Sequence, residues 1–183
     1  LLSKIKSDDK NLDEASKSLN LQIKAVNDIV NNLLEIKKND SDSKQFSNIT
    51  EIMEVIEKVN KNLEYKLKEN QIKISVENKV GNNFSMNISN NRLYIILLNL
   101  LHNAAKHSPN GEEIRVTIEE NGISIIDKGN GVDKNVEFDS DIIGTGLGLE
   151  LCKKLLVKTN LSITLDNNKT HSGAIARLIN IEL

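Results

Sequence analysis

The sequence contains few aromatic residues and no tryptophan, although 38% of its 183 residues are hydrophobic. The side chains of Leu, Ile and Val must therefore fill the core, and the length allows one medium domain or a small domain with a helical appendage. The single cysteine, Cys152, excludes an internal disulfide and is typical of a reducing compartment. Its apolar neighbours indicate a small core residue and not a nucleophile.

The chain also lacks a strong net charge and a long apolar run. Its formal net charge is −2, which gives no reason to expect nucleic acid or an anionic membrane as a partner. No apolar stretch approaches the roughly 20 residues that a membrane span requires, and no signal peptide is visible. The first residue is Leu1 and not methionine, so we expect a piece of a longer protein that reaches a membrane only through segments outside this sequence.

A long helical pattern occupies residues 1–40. Apolar residues recur at alternating spacings of four and three, the seam of a coiled coil or helical bundle, at Leu19, Ile23, Val26, Val30 and Leu33. A lone amphipathic helix that packs on its own domain would give the same pattern. We favour a helical dimerisation segment, part of a helical hairpin, over residues 1–40.

A polar linker at residues 38–44 precedes a region of different character, residues 45–183. Apolar periodicity predicts helices at about 50–68, 92–107 and 147–158. Alternation predicts strands at 72–76, 84–88, 114–118, 123–126, 161–165 and 173–181, with a brief edge strand at residues 46 and 47. This order predicts an α+β fold, a two-layer sandwich of one mixed sheet with helices on one face.

The apolar helix at residues 92–107 carries a polar set. Asn99 and Asn103 lie four residues apart, so their amides share a face, and Lys106 follows beside Asn103. An amide oxygen can ligate Mg²⁺ while a lysine contacts phosphate oxygens. A solvated stripe is the simpler interpretation, but the surrounding residues are apolar, and polar groups in such a helix need partners. His102 has neighbours that point to other faces, so we interpret it as a surface or packing residue.

Two glycine clusters follow the polar helix. Asp127 comes directly after a predicted strand and before Gly129 and Gly131; a carboxylate there can accept a hydrogen bond from an adenine amino group, and glycines let backbone approach a ligand. Alone, this pattern is only a turn signal. The second cluster, residues 144–149, opens an apolar helix whose free amides and dipole favour phosphate. It has neither the Gly-Lys-Ser/Thr of a P-loop nor the strand-turn-helix context of a dinucleotide fold.

The three blocks, in this order and spacing, resemble the N, G1 and G2 boxes of the ATP-binding catalytic domain of bacterial sensor histidine kinases, in the GHKL superfamily. The resemblance covers residues 45–183 and implies a Bergerat-type sandwich with ATP and Mg²⁺ as ligands. It implies that Asn103 holds Mg²⁺ and that Asn99, Asn103 and Lys106 serve catalysis. The nucleotide-binding set that it implies is Asn103, Lys106, His107, Asp127, Gly129, Gly131, Gly144, Thr145, Gly146, Leu147 and Gly148.

Three features depart from the family pattern. Residues 1–98 contain no histidine, so the phosphoacceptor histidine must lie outside this sequence if transfer occurs. Only residues 132–143 separate the second block from the third, fewer than usual; either Phe138 is a remnant of the family's aromatic anchor or this sequence omits part of the stretch. Lys128 stands where the family often has asparagine.

The catalytic glutamate of MutL, gyrase and Hsp90 relatives has no match in this sequence, since Asn99 occupies that part of the helix. This disfavours an ATPase that activates water.

The resemblance implies a kinase core that transfers the γ-phosphoryl group of Mg-ATP to a histidine in two-component signalling. It implies a homodimer through the N-terminal helices, a response regulator as partner and a cytoplasmic location. Two alternatives stay open. One is a pseudokinase that serves as a dimeric scaffold, and the other is a serine kinase of the anti-sigma type, against which the long N-terminal helix counts.

Overall fold

The computed structural model describes residues 47–132, 147–157 and 159–181. The predicted dimerisation segment 1–40 lies outside these residues, as do the linker and the residues Gly144, Thr145 and Gly146. Within the described part of the chain, no helix has the length and apolar character needed to cross a membrane.

Helix α1 spans Ile49–Glu69 and confirms the helix predicted at residues 50–68. Asn48 caps it by a reciprocal pair of hydrogen bonds: the Glu51 backbone N–H donates to Asn48 Oδ1 at 3.0 Å, and the Asn48 N–H donates to Glu51 Oε2 at 2.9 Å. Its buried face is aliphatic and comprises Ile49, Ile52, Val55, Ile56, Val59, Leu63 and Leu67. This face packs on the helix that carries the asparagines.

Helix α2 spans Asn90–His107 and confirms the prediction for residues 92–107. Its buried residues surround the helix more widely than those of α1, since α2 contacts α1, the sheet and the third helix. They are Leu93, Ile95, Ile96, Leu97, Leu100, Leu101, Ala104 and Ala105. Asn99 and Asn103 are half-buried beside these apolar residues.

The main sheet has five strands, in the spatial order β2 (Lys73–Asn78), β4 (Glu113–Glu119), β5 (Gly122–Ile126), β7 (Ala174–Asn180) and β6 (Leu161–Asn167). Strands β4 and β5 form the predicted antiparallel hairpin. Strand β2 pairs with β4 in parallel, while β6 and β7 form a second antiparallel hairpin beside β5. The sheet is therefore mixed, as predicted.

A small second sheet joins β1 (Ser47–Asn48) to β3 (Ser85–Met86) in antiparallel fashion. Strand β3 is shorter than the predicted strand at residues 84–88, because the Ile88 N–H donates to the Met86 carbonyl at 2.8 Å and the chain turns there toward α2. The fully buried Ser47 hydroxyl lies 2.7 Å from the Ile88 carbonyl oxygen and fixes this turn.

Helix α3 spans Leu147–Leu155 and completes the helical layer. It ends before the predicted residue 158, because the Leu156 N–H is shared between the Cys152 and Lys153 carbonyls and the Val157 N–H donates to the Lys154 carbonyl, which tightens the last turn. The interior is aliphatic, as the lack of tryptophan requires, and its largest fully buried side chains are Ile52, Met86, Ile88, Leu93, Ile96, Leu97, Leu101, Ile114, Ile118, Ile123, Ile125 and Leu178. Along β7 the buried residues alternate, so one face of this strand is covered. The α+β sandwich expected from the sequence is confirmed.

Candidate nucleotide-binding site

Asp127 lies one residue beyond the end of β5 and is 8% exposed. Its backbone N–H donates to the Ala174 carbonyl at 3.1 Å, which extends the pairing of β5 with β7. Its carboxylate oxygen Oδ1 accepts hydrogen bonds from the Gly129 N–H at 2.8 Å and from the Ala174 N–H at 3.0 Å. Within the described residues no donor contacts Oδ2, so one oxygen holds the turn and the other is free for a ligand.

Gly129 places the turn after Asp127 directly against the end of α2. A Cβ on Gly129 would lie 2.6 Å from the carbonyl oxygen of His107. Such a contact requires glycine, because the obstacle is backbone that cannot rotate away. The second motif block therefore touches the first.

Asn99 brings α2 to the start of α3. Its amide Nδ2 donates to the Ile95 carbonyl at 2.8 Å, and this bond turns Oδ1 toward the neighbouring helix. A Cβ on Gly148 would lie 2.8 Å from that Oδ1. The third motif block therefore touches the first at a point one helical turn before Asn103.

Asn103 is half-buried, and no hydrogen bond to its side chain forms within the described residues. Lys106 and His107 follow it as exposed residues in the last turn of α2. An amide oxygen, an ammonium group and an imidazole are thus left available at the end of the helix that both glycine blocks contact. Within the described residues no cluster of three or more His, Cys, Asp and Glu side chains could hold a metal ion.

His102 interacts with α1. Its Nε2 lies 3.0 Å from the ammonium group of Lys66. Partial burial lowers the pKa of His102, and the nearby charges of Lys66 and Lys106 lower it further. Burial and the charge of Lys106 likewise lower the pKa of Lys66. The neutral imidazole accepts the lysine's hydrogen bond, so His102 has the surface and packing role that its neighbours in sequence suggest.

Gly173 belongs to this region, although its sequence context gives no sign of a function beyond the start of a strand. Its φ of 113° is one that glycine adopts readily. A Cβ there would collide with the carbonyl oxygen of Asp127 and would lie 3.0 Å from Asp127 Oδ1. Gly173 thus allows β7 to approach the carboxylate closely enough for the Ala174 N–H to bind it.

Cys152 is fully buried on α3, as expected of a core residue. Burial raises the pKa of its thiol to about 12, so it carries no thiolate near neutral pH. Gly144, Thr145 and Gly146 lie outside the described residues, and Leu147 begins α3. The described part of the third block is therefore the helix N-terminus itself and the contact that Gly148 makes with Asn99.

Residues 88–181 match a protein family described as histidine kinase-, DNA gyrase B- and HSP90-like ATPases. The matched range begins just before α2 and ends just after β7, so it includes all three motif blocks.

One sequence relative and two solved structures are similar to this chain. The sensor protein KdpD of Clostridium acetobutylicum is 27% identical over 147 residues, which cover 70% of this chain and 16% of that protein. This chain therefore spans a small fraction of that relative. The cytoplasmic segment of histidine kinase QseC superposes with a TM-score of 0.62 at 16% identity, covering 88% of this chain and 95% of that one. Full-length ShkA in complex with AMPPNP gives a TM-score of 0.60 at 20% identity, covering 84% of this chain and 35% of that one.

Proposed function

Because this chain belongs to the family of histidine kinase-, DNA gyrase B- and HSP90-like ATPases, we propose that it binds ATP with Mg²⁺ and transfers the γ-phosphoryl group to a histidine outside this sequence. The resemblance to the ATP-binding catalytic domain of sensor histidine kinases is confirmed by the family match and the relatives.

The contact of α2 with both glycine blocks is the observation that carries the proposal. The His107 carbonyl lies against Gly129, and the Asn99 side chain lies against Gly148. A helix that bears amides and a lysine is thus joined to a carboxylate turn on one side and to a helix N-terminus on the other. Groups suited to a base, a metal ion and phosphates are gathered in one region.

Asp127 is proposed to recognise the adenine base. Its Oδ1 is committed to two backbone N–H groups, which fix the orientation of the carboxylate and leave Oδ2 to accept from the exocyclic amino group. Gly129 and Gly131 follow without side chains, so backbone can lie close to the base and sugar.

Phosphate binding is assigned to the start of α3 together with Lys106 and His107. The unpaired amides of a helix N-terminus and its positive dipole end favour anions, and we include Gly144, Thr145, Gly146, Leu147 and Gly148 in this group. Asn99 acts on it indirectly, since its side chain sets how closely α2 approaches α3 at Gly148.

The side-chain oxygen of Asn103 accepts no hydrogen bond from the described residues, so it is available to ligate a cation. Mg²⁺ is a hard cation that prefers oxygen ligands. A Mg²⁺ ion held there would neutralise charge on the phosphate oxygens of ATP. The residues of this chain supply position: Asn103 is held on a rigid helix, and Lys106 and His107 stand one turn further along to orient the γ-phosphate.

We also propose a homodimer, a response regulator as partner and a cytoplasmic location. The predicted seam over residues 19–33 supports a homodimer through the N-terminal helices, and two-component chemistry requires a response regulator to receive the phosphoryl group. ATP is a cytoplasmic substrate, and the neighbour QseC was solved as a cytoplasmic segment, so we place this domain in the cytoplasm.

A calorimetric titration with AMPPNP, with and without Mg²⁺, tests nucleotide binding. We expect binding that strengthens when Mg²⁺ is present, with Asp127→Asn as a variant that keeps an oxygen for the turn but weakens adenine recognition. Absence of binding at millimolar AMPPNP would overturn the proposal.

Phosphoryl transfer is tested with γ-labelled ATP and a histidine-bearing dimerisation helix pair supplied in trans. Phosphohistidine is labile in acid and stable in base, whereas phosphoserine behaves in the opposite way. Acid-labile label on the helix pair supports the histidine kinase. Acid-stable label on a protein substrate would favour the serine kinase, and binding without any transfer would favour the pseudokinase scaffold.

A further inference from the structure

Asn167, the last residue of β6, makes a paired contact with the loop that follows Asp127. Its Oδ1 accepts a hydrogen bond from the Val132 N–H at 2.5 Å, and its Nδ2 donates to the Val132 carbonyl at 2.8 Å. Both halves of the amide thus bind the backbone of a single residue, as a neighbouring strand would. Val132 follows Gly131 directly, at the end of the second motif block.

This contact spans the width of one strand. In the sheet, β7 lies between β5, which leads into Asp127, and β6, which ends at Asn167. Asn167 pairs in register with Ala174, the residue that donates to Asp127 Oδ1. The β6–β7 hairpin therefore holds both ends of the loop: Ala174 holds it at Asp127, and Asn167 holds it at Val132.

The two glycines at this junction make the arrangement possible. Gly131 has a φ of 82°, and a Cβ on it would collide with Asn167 Oδ1 and lie 3.4 Å from the Gly173 carbonyl oxygen. Gly131, Gly173 and Asn167 are thus in contact, and the loop has little freedom to shift without breaking the hydrogen bonds to Asn167.

We propose that Asn167 is a positioning residue that fixes the base-binding loop between Asp127 and Val132. The inference rests on the proposed function, since it assigns to this loop the recognition of adenine. An asparagine suits the role because its side-chain amide offers a donor and an acceptor that match the carbonyl and the N–H of one residue. An aspartate of the same shape would lose the donor and place its charge beside the Val132 carbonyl oxygen.

The matched control is the next residue, Asn168. Its Oδ1 accepts hydrogen bonds from the Thr170 N–H at 3.1 Å and from the Thr170 hydroxyl at 2.9 Å, within the hairpin turn. Asn168→Ala therefore alters the same hairpin and removes the same side-chain atoms, yet it leaves the contact with Val132 in place.

The test compares the unsubstituted chain with Asn167→Ala, Asn167→Asp and Asn168→Ala by calorimetric titration with AMPPNP and with GMPPNP in Mg²⁺. We expect each Asn167 variant to bind AMPPNP about tenfold more weakly. We expect the ratio of the affinities for AMPPNP and GMPPNP to fall toward one in each Asn167 variant. A displaced loop discriminates poorly between the bases, while the contacts to the phosphates persist. A general loss of stability would weaken both analogues alike and leave the ratio unchanged.

A second readout needs no nucleotide. Amide hydrogen exchange at Val132 should accelerate in Asn167→Ala and stay slow in Asn168→Ala. The inference is overturned if both Asn167 variants bind with the affinity and preference of Asn168→Ala. If the unsubstituted chain bound neither analogue, the proposed function would fail and this role in it would fall as well. If the unsubstituted chain binds AMPPNP and both Asn167 variants behave like Asn168→Ala, only the Asn167 inference fails and the proposed function stands.

Discussion

The side-chain oxygen of Asn99 lies 2.8 Å from the position that a Cβ on Gly148 would take. Asn99 cannot turn away freely, because its Nδ2 donates to the Ile95 carbonyl at 2.8 Å. A polar residue of the first motif block and a glycine of the third are thereby fitted to each other, and this contact sets the separation of α2 and α3.

Gly148→Ala is expected to destabilise the fold by about 1 kcal/mol, although alanine is the better helix former, because the new methyl group displaces Asn99. In an Asn99→Ala background the same substitution should be neutral or stabilising. A double-mutant cycle of urea midpoints measures this coupling. Gly81→Ala serves as the control, since a Cβ there meets nothing within 4 Å; equal effects of Gly148→Ala in both backgrounds would contradict the contact.

Asp127→Ala is expected to lose stability as well as nucleotide binding. The substitution removes the acceptor for the Gly129 and Ala174 N–H groups, and losing two hydrogen bonds to a buried carboxylate costs about 3 kcal/mol. Asp127→Asn retains an oxygen for these groups and should unfold close to the unsubstituted chain while binding AMPPNP at least tenfold more weakly. Thermal unfolding together with calorimetry separates the two effects, and unchanged AMPPNP affinity in Asp127→Asn would remove this residue from adenine recognition.

Asn103→Ala is expected to abolish the effect of Mg²⁺ on nucleotide binding and to leave the fold unchanged, because no described residue depends on its amide. AMPPNP should bind the variant equally with and without Mg²⁺, at about the affinity that the unsubstituted chain has without the metal. Asn121→Ala, in the exposed turn between β4 and β5, is the control. A variant that kept the full enhancement by Mg²⁺ would exclude Asn103 as the ligand.

The raised pKa of the Cys152 thiol predicts that the folded chain loses stability at alkaline pH. The pKa of this thiol is raised from an ordinary 9.0 to about 12 by burial, so above pH 9 the unfolded chain releases a proton that the folded chain retains. Its contribution to the free energy of unfolding is therefore complete below pH 9 and declines as the pH rises toward 12. Urea unfolding across this range should show a shallower decline for Cys152→Ala, and a thiol reagent should label the native chain only as it unfolds. Equal declines in both chains would contradict the assignment.

Local sequence patterns predict most of the helices and strands. The apolar periodicity of α1 and α2 and the alternation along β4 and β5 predicted elements that the structure confirms. These signals are local, since burial of one face imposes a period on neighbouring residues. One exception is β3, whose end depends on a turn that the distant Ser47 hydroxyl fixes. Another is α3, which ends at Leu155 and not at the predicted residue 158.

The motif blocks were likewise visible in the sequence, because an amide-bearing helix, a carboxylate after a strand and glycines before a helix are combinations of neighbours. Their contacts were not. Gly129 against His107 and Gly148 against Asn99 join residues far apart in the chain, and no periodicity encodes such distances.

The sequence by itself determined the α+β class, the aliphatic core and the residue types of a nucleotide site. Only the tertiary structure decided that Gly173 and Asn167 contact the loop between Asp127 and Val132, to which we assign recognition of adenine. Their positions follow from the strand order, which places the β6–β7 hairpin beside the end of β5. A glycine before a strand and an asparagine at a strand end are ordinary turn residues, and it is the pairing of strands that brings them within hydrogen-bonding distance of the loop.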